Sequence, residues 1–314
     1  MSKYPVLSLV IPTWNRKPVL NKILNSLTKQ NFKRPFEIII CDSNSKDGTK
    51  ELMLRYNNYP NLIIKYFNLA NNISIKRNFG LKYAKSNNIV FLDDDCVPEK
   101  NYIDKYFKLL NNSDDKSIYC GIVKFPKQKL FQNYYKYRQS RHFLKYDQNY
   151  LDENTIVTMN MGIKRSLISK KNLYFKKSLG ILGKNLNGFE DYEFAFRLKK
   201  QNIKIKKCDC TIFHLDERDL KQHAKKYFVF GKDTIHKLEQ VNYEACKNNI
   251  FFKLKNSFLI RLIIKNTFLL KIMLFISNRI IDYNEKSNNL GFIYFKFVLL
   301  SYFVYGLSIK NNVK

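Results

Sequence analysis

Four apolar runs recur along the first third of the chain: LSLVI (7–11), EIIIC (37–41), NLIIKYF (61–67) and NIVFL (88–92). Strands buried on both faces read as continuous apolar runs of this length. Between them the period changes. Val19, Leu20, Ile23, Leu24 and Leu27 fall at helical intervals within 16–30, and Ile75, Phe79, Leu81 and Ala84 do so within 73–84. KDGTKELMLRY, after the second run, opens a further helix near Asp47. Alternating strands and helices dictate a mostly parallel sheet with helices on both faces. Such sheets bind ligands beyond the carboxyl ends of their strands. PTWN follows the first strand, DSNSKDG the second and DDD the fourth, so three polar loops converge on one edge.

The stretch FLDDDCVPE (91–99) runs a strand straight into Asp93, Asp94 and Asp95. Adjacent carboxylates repel, and a hard divalent cation with oxygen ligands relieves that repulsion. A metal held by one or two carboxylates keeps positions open for phosphates and stabilises charge on a leaving group. The triplet therefore points to a Mg²⁺ or Mn²⁺ nucleotide site. The plain alternative is an acidic turn with a helix cap. Asp47, in a DG pair after a strand, reads first as a turn and helix start.

Past residue 115 the pattern loosens. IYCGIVKF (118–125) reads as a strand, and TIVTMNMGIKR (155–165) as a strand leading into a loop. The aromatic and basic segment 129–150 fits a helix flanking the cleft. GFEDYEFAFRLKKQ (188–201) reads as a helix with acids at its N-terminal end, where the dipole favours them. NIKIKKCDCTIFH is a strand, and 217–246 is mostly helical.

The chain has 314 residues and 45% apolar content, enough for a sizeable core. Its formal charge is +30 and its pI about 9.8. That balance favours a polyanionic partner, although a Lys- and Asn-rich composition accounts for part of the excess. Cys41, Cys96, Cys120, Cys208, Cys210 and Cys246 form no CxxC pair and no zinc set, and the expectation is a reducing cytoplasm. MSKYPVLSLVIPTWNR lacks the marks of a signal peptide.

The tail is distinct. Residues 250–314 hold ten Lys/Arg against Asp282 and Glu285. A long helical run with threaded lysines and arginines precedes GFIYFKFVLLSYFVYGLSI, which Lys296 interrupts. A spanning helix over 291–309, an interfacial helical pair on an anionic leaflet, and a hairpin packed on the rest of the protein all remain open. The threaded basic residues favour the interfacial pair.

SLVIPTWNR, EIIICDSNSKDGT, RNFGLKYAKSNNIVFLDDDCVPE and GFEDYEFAFRLKKQ, in this order, closely resemble the family 2 glycosyltransferases over about residues 5–235. The resemblance implies the GT-A fold: α/β, with a mixed, mostly parallel sheet flanked by helices, here with a C-terminal helical extension. It implies a catalytic domain over 1–246, with a nucleotide-binding half (1–115) and an acceptor half (116–246), followed by the basic apolar tail (247–314).

Position by position, the resemblance puts Pro12, Thr13, Trp14 and Asn15 in the loop lining the nucleotide pocket. Asp42 matches the aspartate on the base, and Arg77 and Asn78 the pair supporting the nucleotide. Asp93 resembles the ribose and nucleotide carboxylate, Asp94 its neighbour, and Asp95 the metal ligand of a DxD motif. Asn160 falls near the donor sugar. Asp191 matches the catalytic base, with Glu190 beside it, and His214 stands near metal and phosphates. Without that context Asp191 is a dipole-favoured cap, His214 a satisfied polar residue and Arg77 a solvated helix residue. The second loop departs from the usual Asp-Asp-Gly-Ser, and no QxxRW motif occurs, which favours addition of a single sugar.

The resemblance thus implies an inverting transferase of hexosyltransferase type, using Mn²⁺ or Mg²⁺ and a nucleotide-diphospho-sugar, foremost a UDP-sugar. The expected acceptor is a glycan or lipid-linked saccharide of a surface polysaccharide such as O-antigen or capsule. The tail adds peripheral association with an anionic membrane at the cytoplasmic face. Two rivals come from other classes. A nucleotidyltransferase acting on sugar phosphates should carry a glycine-rich loop, which PTWNRKP lacks. A basic nucleic-acid-binding protein should carry a recognition motif, and none is visible, so no nucleic acid is expected.

Overall fold

In the computed structural model, the described residues are 4–56, 58–114, 116–125, 150–156, 158–180, 188–215, 219–287 and 290–311. By internal contacts the chain forms two compact units: Met1–Pro126 with Gln139–Lys177 and Phe194–Asp216, and Lys127–Arg138 with Ser178–Glu193 and Glu217–Lys314.

The first unit is built on one sheet. Strands β1 (Ser8–Pro12), β2 (Phe36–Asp42), β3 (Leu62–Asn68) and β4 (Asn88–Leu92) pair in parallel in the order β3-β2-β1-β4. All residues of β1, β2 and β4 are buried: their apolar centres are continuous, and the buried polar pair Ser8 and Glu37 is satisfied where Ser8 Oγ donates to Glu37 at 2.5 Å and Lys65 pairs with it at 2.6 Å. Helix α1 (Lys17–Thr28) buries Leu20, Ile23, Leu24 and Leu27. Helix α2 (Thr49–Leu52) is one turn long and starts where Asp47 accepts from the Thr49 amide and hydroxyl. Helix α3 (Ile73–Tyr83) is capped by Asn72, whose side chain accepts from the Ile75 amide at 3.0 Å.

Beyond β4 the sheet becomes mixed. The short β5 (Cys96–Pro98) lies antiparallel to the long β9 (Lys204–His214), which pairs in parallel with β6 (Ser117–Lys124). β7 (Tyr150–Leu151) and β8 (Asn160–Lys164) complete it, β8 lying antiparallel to both β4 and β6. Between β5 and β6, helix α4 (Tyr102–Asn111) buries Tyr102, Ile103, Tyr106 and Leu110 on one face.

Two expectations over 118–165 shift. Among the described residues of 155–165 the strand is Asn160–Lys164, and a helix, α5 (Arg165–Lys171), follows in place of a loop. Its opening amides are satisfied from far away: Arg165 N donates to the Asn87 carbonyl at 2.8 Å and Ser166 N to the Asn87 side chain at 2.9 Å. A cap supplied from a distant loop leaves no local signature. The helix expected over 129–150 lies outside the described residues, save for Tyr150.

Helix α6 (Glu190–Lys200) follows. Its Phe194, Ala195 and Leu198 join the first unit's core. The second unit is helical among its described residues: α7 (Leu220–Val229), a π-helical turn (Phe230–Thr234), α8 (Ile235–Val241), α9 (Tyr243–Asn248), α10 (Ile250–Asn256), α11 (Phe258–Lys265), α12 (Thr267–Ser287) and α13 (Phe292–Asn311). The run expected to be one long helix is three. Ser257 and Asn266 break it, each capping the next helix through its side chain, to the Ile260 amide and the Leu269 amide. Helix α13 seats against α7 and the π turn through two reciprocal glycines. A Cβ on Gly231 would lie 2.0 Å from the Phe303 carbonyl oxygen, and one on Gly306 would lie 2.1 Å from that of Phe228. Only glycine permits so close a helix crossing.

Candidate active site

The parallel register sets Pro12 beside Cys41 and Asp42 beside Asn68, so the loops after β1, β2 and β4 emerge at one edge. Side chains then stitch these loops together. Thr13 Oγ1 donates to Asp94 at 2.7 Å, the Asn15 amide donates to Ser45 Oγ at 2.7 Å, and the Lys46 amide donates to Asn15 Oδ1 at 2.8 Å. Asn15 and Asn44 both adopt left-handed backbone, at φ 50° and 55°, a conformation asparagine tolerates better than most residues. Trp14 is half-buried and Pro12 buried.

Three consecutive aspartates are accommodated because two arginines divide them, Arg77 serving Asp93 and Arg16 bridging Asp94 and Asp95. Asp93 pairs with Arg77 at 3.2 Å. Asp94 accepts from Thr13 and, at 2.9 Å, from Arg16. Asp95 accepts from the same Arg16 nitrogen at 2.8 Å and lies 3.5 Å from His214 Nε2. The environment separates the three electrically. Burial pushes Asp94 up to about 6 against the pull of Arg16. Burial likewise raises Asp93 in spite of Arg77. For Asp95 burial acts in the same direction, but His214 and Arg16 outweigh it and hold the carboxyl below its usual range.

His214 reaches Asp95 because of strand register. The antiparallel pairing of β5 with β9 sets Cys96 opposite His214, and the Leu215 amide donates to the Asp95 carbonyl at 2.8 Å. One ligand atom each from Asp95, Cys96 and His214 lies within 4.8 Å of the others. Burial, with Asp95 next, pushes the Cys96 thiol well up, which disfavours the thiolate in the metal-free site. An ionised carboxylate and an imidazole remain. That donor pair suits a divalent cation that accepts both oxygen and nitrogen, and Arg16 already brings a positive charge to the same carboxylate.

Asp42 is fully buried at the end of β2 and accepts from Tyr66 Oη at 2.5 Å, Ser45 Oγ at 2.5 Å and the Ser45 amide at 2.9 Å. Burial, reinforced by Asp42, raises the Tyr66 hydroxyl. Lys76 is buried on α3 and donates to the Thr13 carbonyl at 2.8 Å. Burial pulls its ammonium down to about 8, with Asp94 and Asp42 opposing.

The neighbouring Arg77 lies over the Phe175 ring at 5.5 Å. Asn78 uses its amide like a strand partner, donating to the Phe175 carbonyl at 2.8 Å and accepting from the Phe175 amide at 2.8 Å. Asn160 has no exposed surface. Its side chain accepts from Tyr102 and Tyr106 at 2.9 and 2.8 Å and donates to the carbonyls of Cys210 and Ile122 at 2.8 and 3.1 Å. It thus binds β8 to α4, β6 and β9, one register step from the aspartates.

Glu190 and Asp191 open α6 within the second unit. Glu190 is buried, and Asp191 is half-buried with its carboxylate accepting from the Tyr192 amide at 2.8 Å. Just before them Phe189 has φ 70°, an unfavourable conformation for a bulky residue. Its ring packs among Phe230, Phe251 and Tyr192, while Tyr192 Oη donates to the Ala245 carbonyl at 3.1 Å. The helix start is therefore clamped from both sides.

Among the described site residues, Arg16, Lys76 and Tyr66 were not expected. Arg16 and Lys76 stand beside expected residues in sequence. Their roles come from tertiary contacts across the strand ends, which local spacing does not carry.

The sequence model described as glycosyl transferase family 2 matches residues 8–170, more than half of the 314. The chain is 38% identical over 94 residues to the GalNAc(5)-diNAcBac-PP-undecaprenol beta-1,3-glucosyltransferase of Campylobacter jejuni, covering 29% of this chain and 30% of that one. It spans 35% and 58% of the length of the first two curated glycosyltransferases that it matches. The mannosyltransferase PcManGT of Pyrobaculum calidifontis, in complex with GDP-Man and Mn²⁺, shares the fold with a TM-score of 0.63 at 14% identity, over 98% of this chain and 87% of that chain. S. aureus TarS 1-349 in complex with UDP-GlcNAc does so with a TM-score of 0.55 at 14% identity, over 98% and 91%. Strand order, loop convergence and family match agree, and the chain belongs to glycosyl transferase family 2 with the GT-A fold.

Proposed function

We propose that the protein is an inverting glycosyltransferase that moves one sugar from a nucleotide-diphospho-sugar to a hydroxyl of a glycan or lipid-linked acceptor. The observation that carries this reading is the Asp93–Asp94–Asp95 cluster at the end of β4, with its three carboxylates differentiated and His214 beside Asp95. The donor class draws support from the nucleotide sugars bound by PcManGT and TarS, with a UDP-sugar as the first candidate. A lipid-linked saccharide as acceptor draws support from the name of the Campylobacter relative, which acts on a saccharide carried on PP-undecaprenol.

In this reading Asp42, held by Tyr66 and Ser45, and the loop Pro12–Asn15 frame the nucleoside. Asp93, oriented by Arg77, takes the ribose. Lys76 and Arg16 supply positive charge near the phosphates. Asp95 and His214 would hold Mn²⁺ or Mg²⁺, which when bound takes up negative charge on the departing diphosphate. Asp191 accepts the proton of the attacking hydroxyl as its oxygen bonds to C1 from the face opposite the diphosphate; the C1–O bond to phosphate breaks, and the anomeric centre inverts. A single base suffices because no covalent intermediate forms. Glu190 supports that base, and Asn160 supports the sugar pocket through the strands it ties together. Six free cysteines support a cytoplasmic setting, with the tail peripheral at the inner face of the membrane.

Calorimetric titration of UDP, GDP, CDP and dTDP, with and without Mn²⁺, tests the reading on wild type and Asp95→Ala. Metal-dependent binding of one nucleotide, lost in the variant, is expected. Metal-independent binding, or binding unchanged by the substitution, would remove the metal role of Asp95.

A further inference from the structure

Helices of a water-soluble protein normally bury one face and show solvent a polar one. Helices α11 and α12 do not. α12 buries Leu270, Met273, Ser277 and Ile281 at helical spacing, yet its opposite face carries Phe268, Ile272, Phe275 and Ile276. α11 buries Ile260 and Ile263 and shows solvent Phe258 and Leu262. Phe258 is 83% exposed, Phe268 72% and Phe275 61%, which is full presentation of large apolar groups rather than an imperfectly covered core.

Charge says what covers this face. From 258 to 281 there are four basic residues, Arg261, Lys265, Lys271 and Arg279, all exposed, and the acids of α12, Asp282 and Glu285, also exposed, stand only in its last two turns. The Arg279 guanidinium lies 5.3 Å from the Phe275 ring centre, a cation seated on the apolar surface. A second copy of the chain would set these four cations against their own counterparts, in a protein of formal charge +30. An anionic bilayer surface meets both requirements: acyl chains for the aromatic and aliphatic groups, headgroup phosphates for the basic ones.

Helix α13 does not take this role. It is the one helix among the described residues long and apolar enough to cross a bilayer, but half of its window, Phe292–Ile309, is buried inside the protein. The glycine pair Gly231 and Gly306 fastens it to α7 and the π turn.

We infer that the outer face of α11 and α12 is a docking surface for an anionic phospholipid bilayer, entered by Phe258, Leu262, Phe268, Ile272, Phe275 and Ile276. The contact needs neither donor nor metal, so it stands or falls apart from the transferase reading.

The test is flotation of the full chain with vesicles of phosphatidylcholine alone and of phosphatidylcholine with phosphatidylglycerol, beside light scattering for oligomeric state. Wild type floats with the anionic vesicles, not the neutral ones, and added salt releases it. Phe268→Ser with Phe275→Ser abolishes flotation while the melting temperature and nucleotide binding stay at wild-type values. Lys265→Gln weakens binding by about fivefold. Absence of flotation, equal flotation with neutral vesicles, or a dimer that the double variant dissolves would each overturn the inference, the last by assigning the face to a second copy.

Discussion

Arg16 Nη1 lies 2.8 Å from Oδ2 of Asp95. The same nitrogen reaches Asp94, so one half-exposed guanidinium balances two carboxylates that are largely out of solvent. A divalent cation at Asp95 would add charge where Arg16 already sits. Arg16→Gln should therefore lower stability without metal by about 1–2 kcal/mol, less than for a fully buried pair because Arg16 is itself half in water. Mn²⁺ should recover more of the melting temperature in the variant than in wild type. Equal Mn²⁺ responses in thermal unfolding would show that the arginine and the metal do not share a carboxylate.

Lys76 gives a pH prediction with a definite sign. Folded, it releases its proton near pH 8, because burial disfavours the charge. Unfolded, it holds the proton to about 10.4. Between those values the unfolded chain binds more protons, so this group makes stability rise with pH across that window. Lys76→Met should remove the rise, on the order of 1–3 kcal/mol between about pH 8 and 10. Urea unfolding of both proteins across the window reads it directly; parallel curves would mean that Lys76 titrates normally.

Asn160 makes a structural prediction at a site position. Asn160→Ala removes the side-chain partner of the buried Tyr102 and Tyr106 hydroxyls and of two carbonyls, leaving Tyr106 Oη the main-chain carbonyl of residue 160 at 3.1 Å. The expected loss is about 3 kcal/mol in denaturant unfolding. Gly121→Ala should act similarly, since its Cβ would meet the Cys210 oxygen at 2.2 Å and Asn160 Nδ2 at 2.4 Å. Losses under about 1 kcal/mol for both would refute the network.

Asp191 separates chemistry from stability. It is half-buried and its carboxylate accepts from the adjacent Tyr192 amide, so Asp191→Asn keeps the fold. If it is the base proposed above, its loss lowers kcat by about 10²–10⁴ with nucleotide affinity unchanged. Product analysis with purified acceptor and donor checks this, and near-normal turnover would assign the proton to another group.

The first half of the fold was legible because continuous apolar runs and helical intervals follow directly from burial. The strands expected at 7–11, 37–41, 61–67 and 88–92 appear at 8–12, 36–42, 62–68 and 88–92. The three-loop edge followed from that alternation alone. Helix α4 also carried a readable signal, the helical spacing of Tyr102, Ile103, Tyr106 and Leu110. Other features had no local signal. The cap of α5 comes from Asn87, the position of His214 from a strand register, and the bridging role of Arg16 from a loop 79 residues away from Asp95. The side-chain caps that divide the C-terminal run, Ser257 and Asn266, are common residues whose effect depends on what each neighbouring helix buries.

The stitching of Thr13 to Asp94, Asn15 to Ser45 and Lys76 to the Thr13 carbonyl bears on how such a pocket can be changed. Beside the bonds within the loop after β2, each loop is also a template for another. A transplanted loop from a relative would arrive without its counterparts and lose the contacts that gave it its form. Donor preference in this chain is thus inherited as a set, and a redesign that exchanges loops one at a time crosses a valley of misassembled intermediates before any new specificity can emerge.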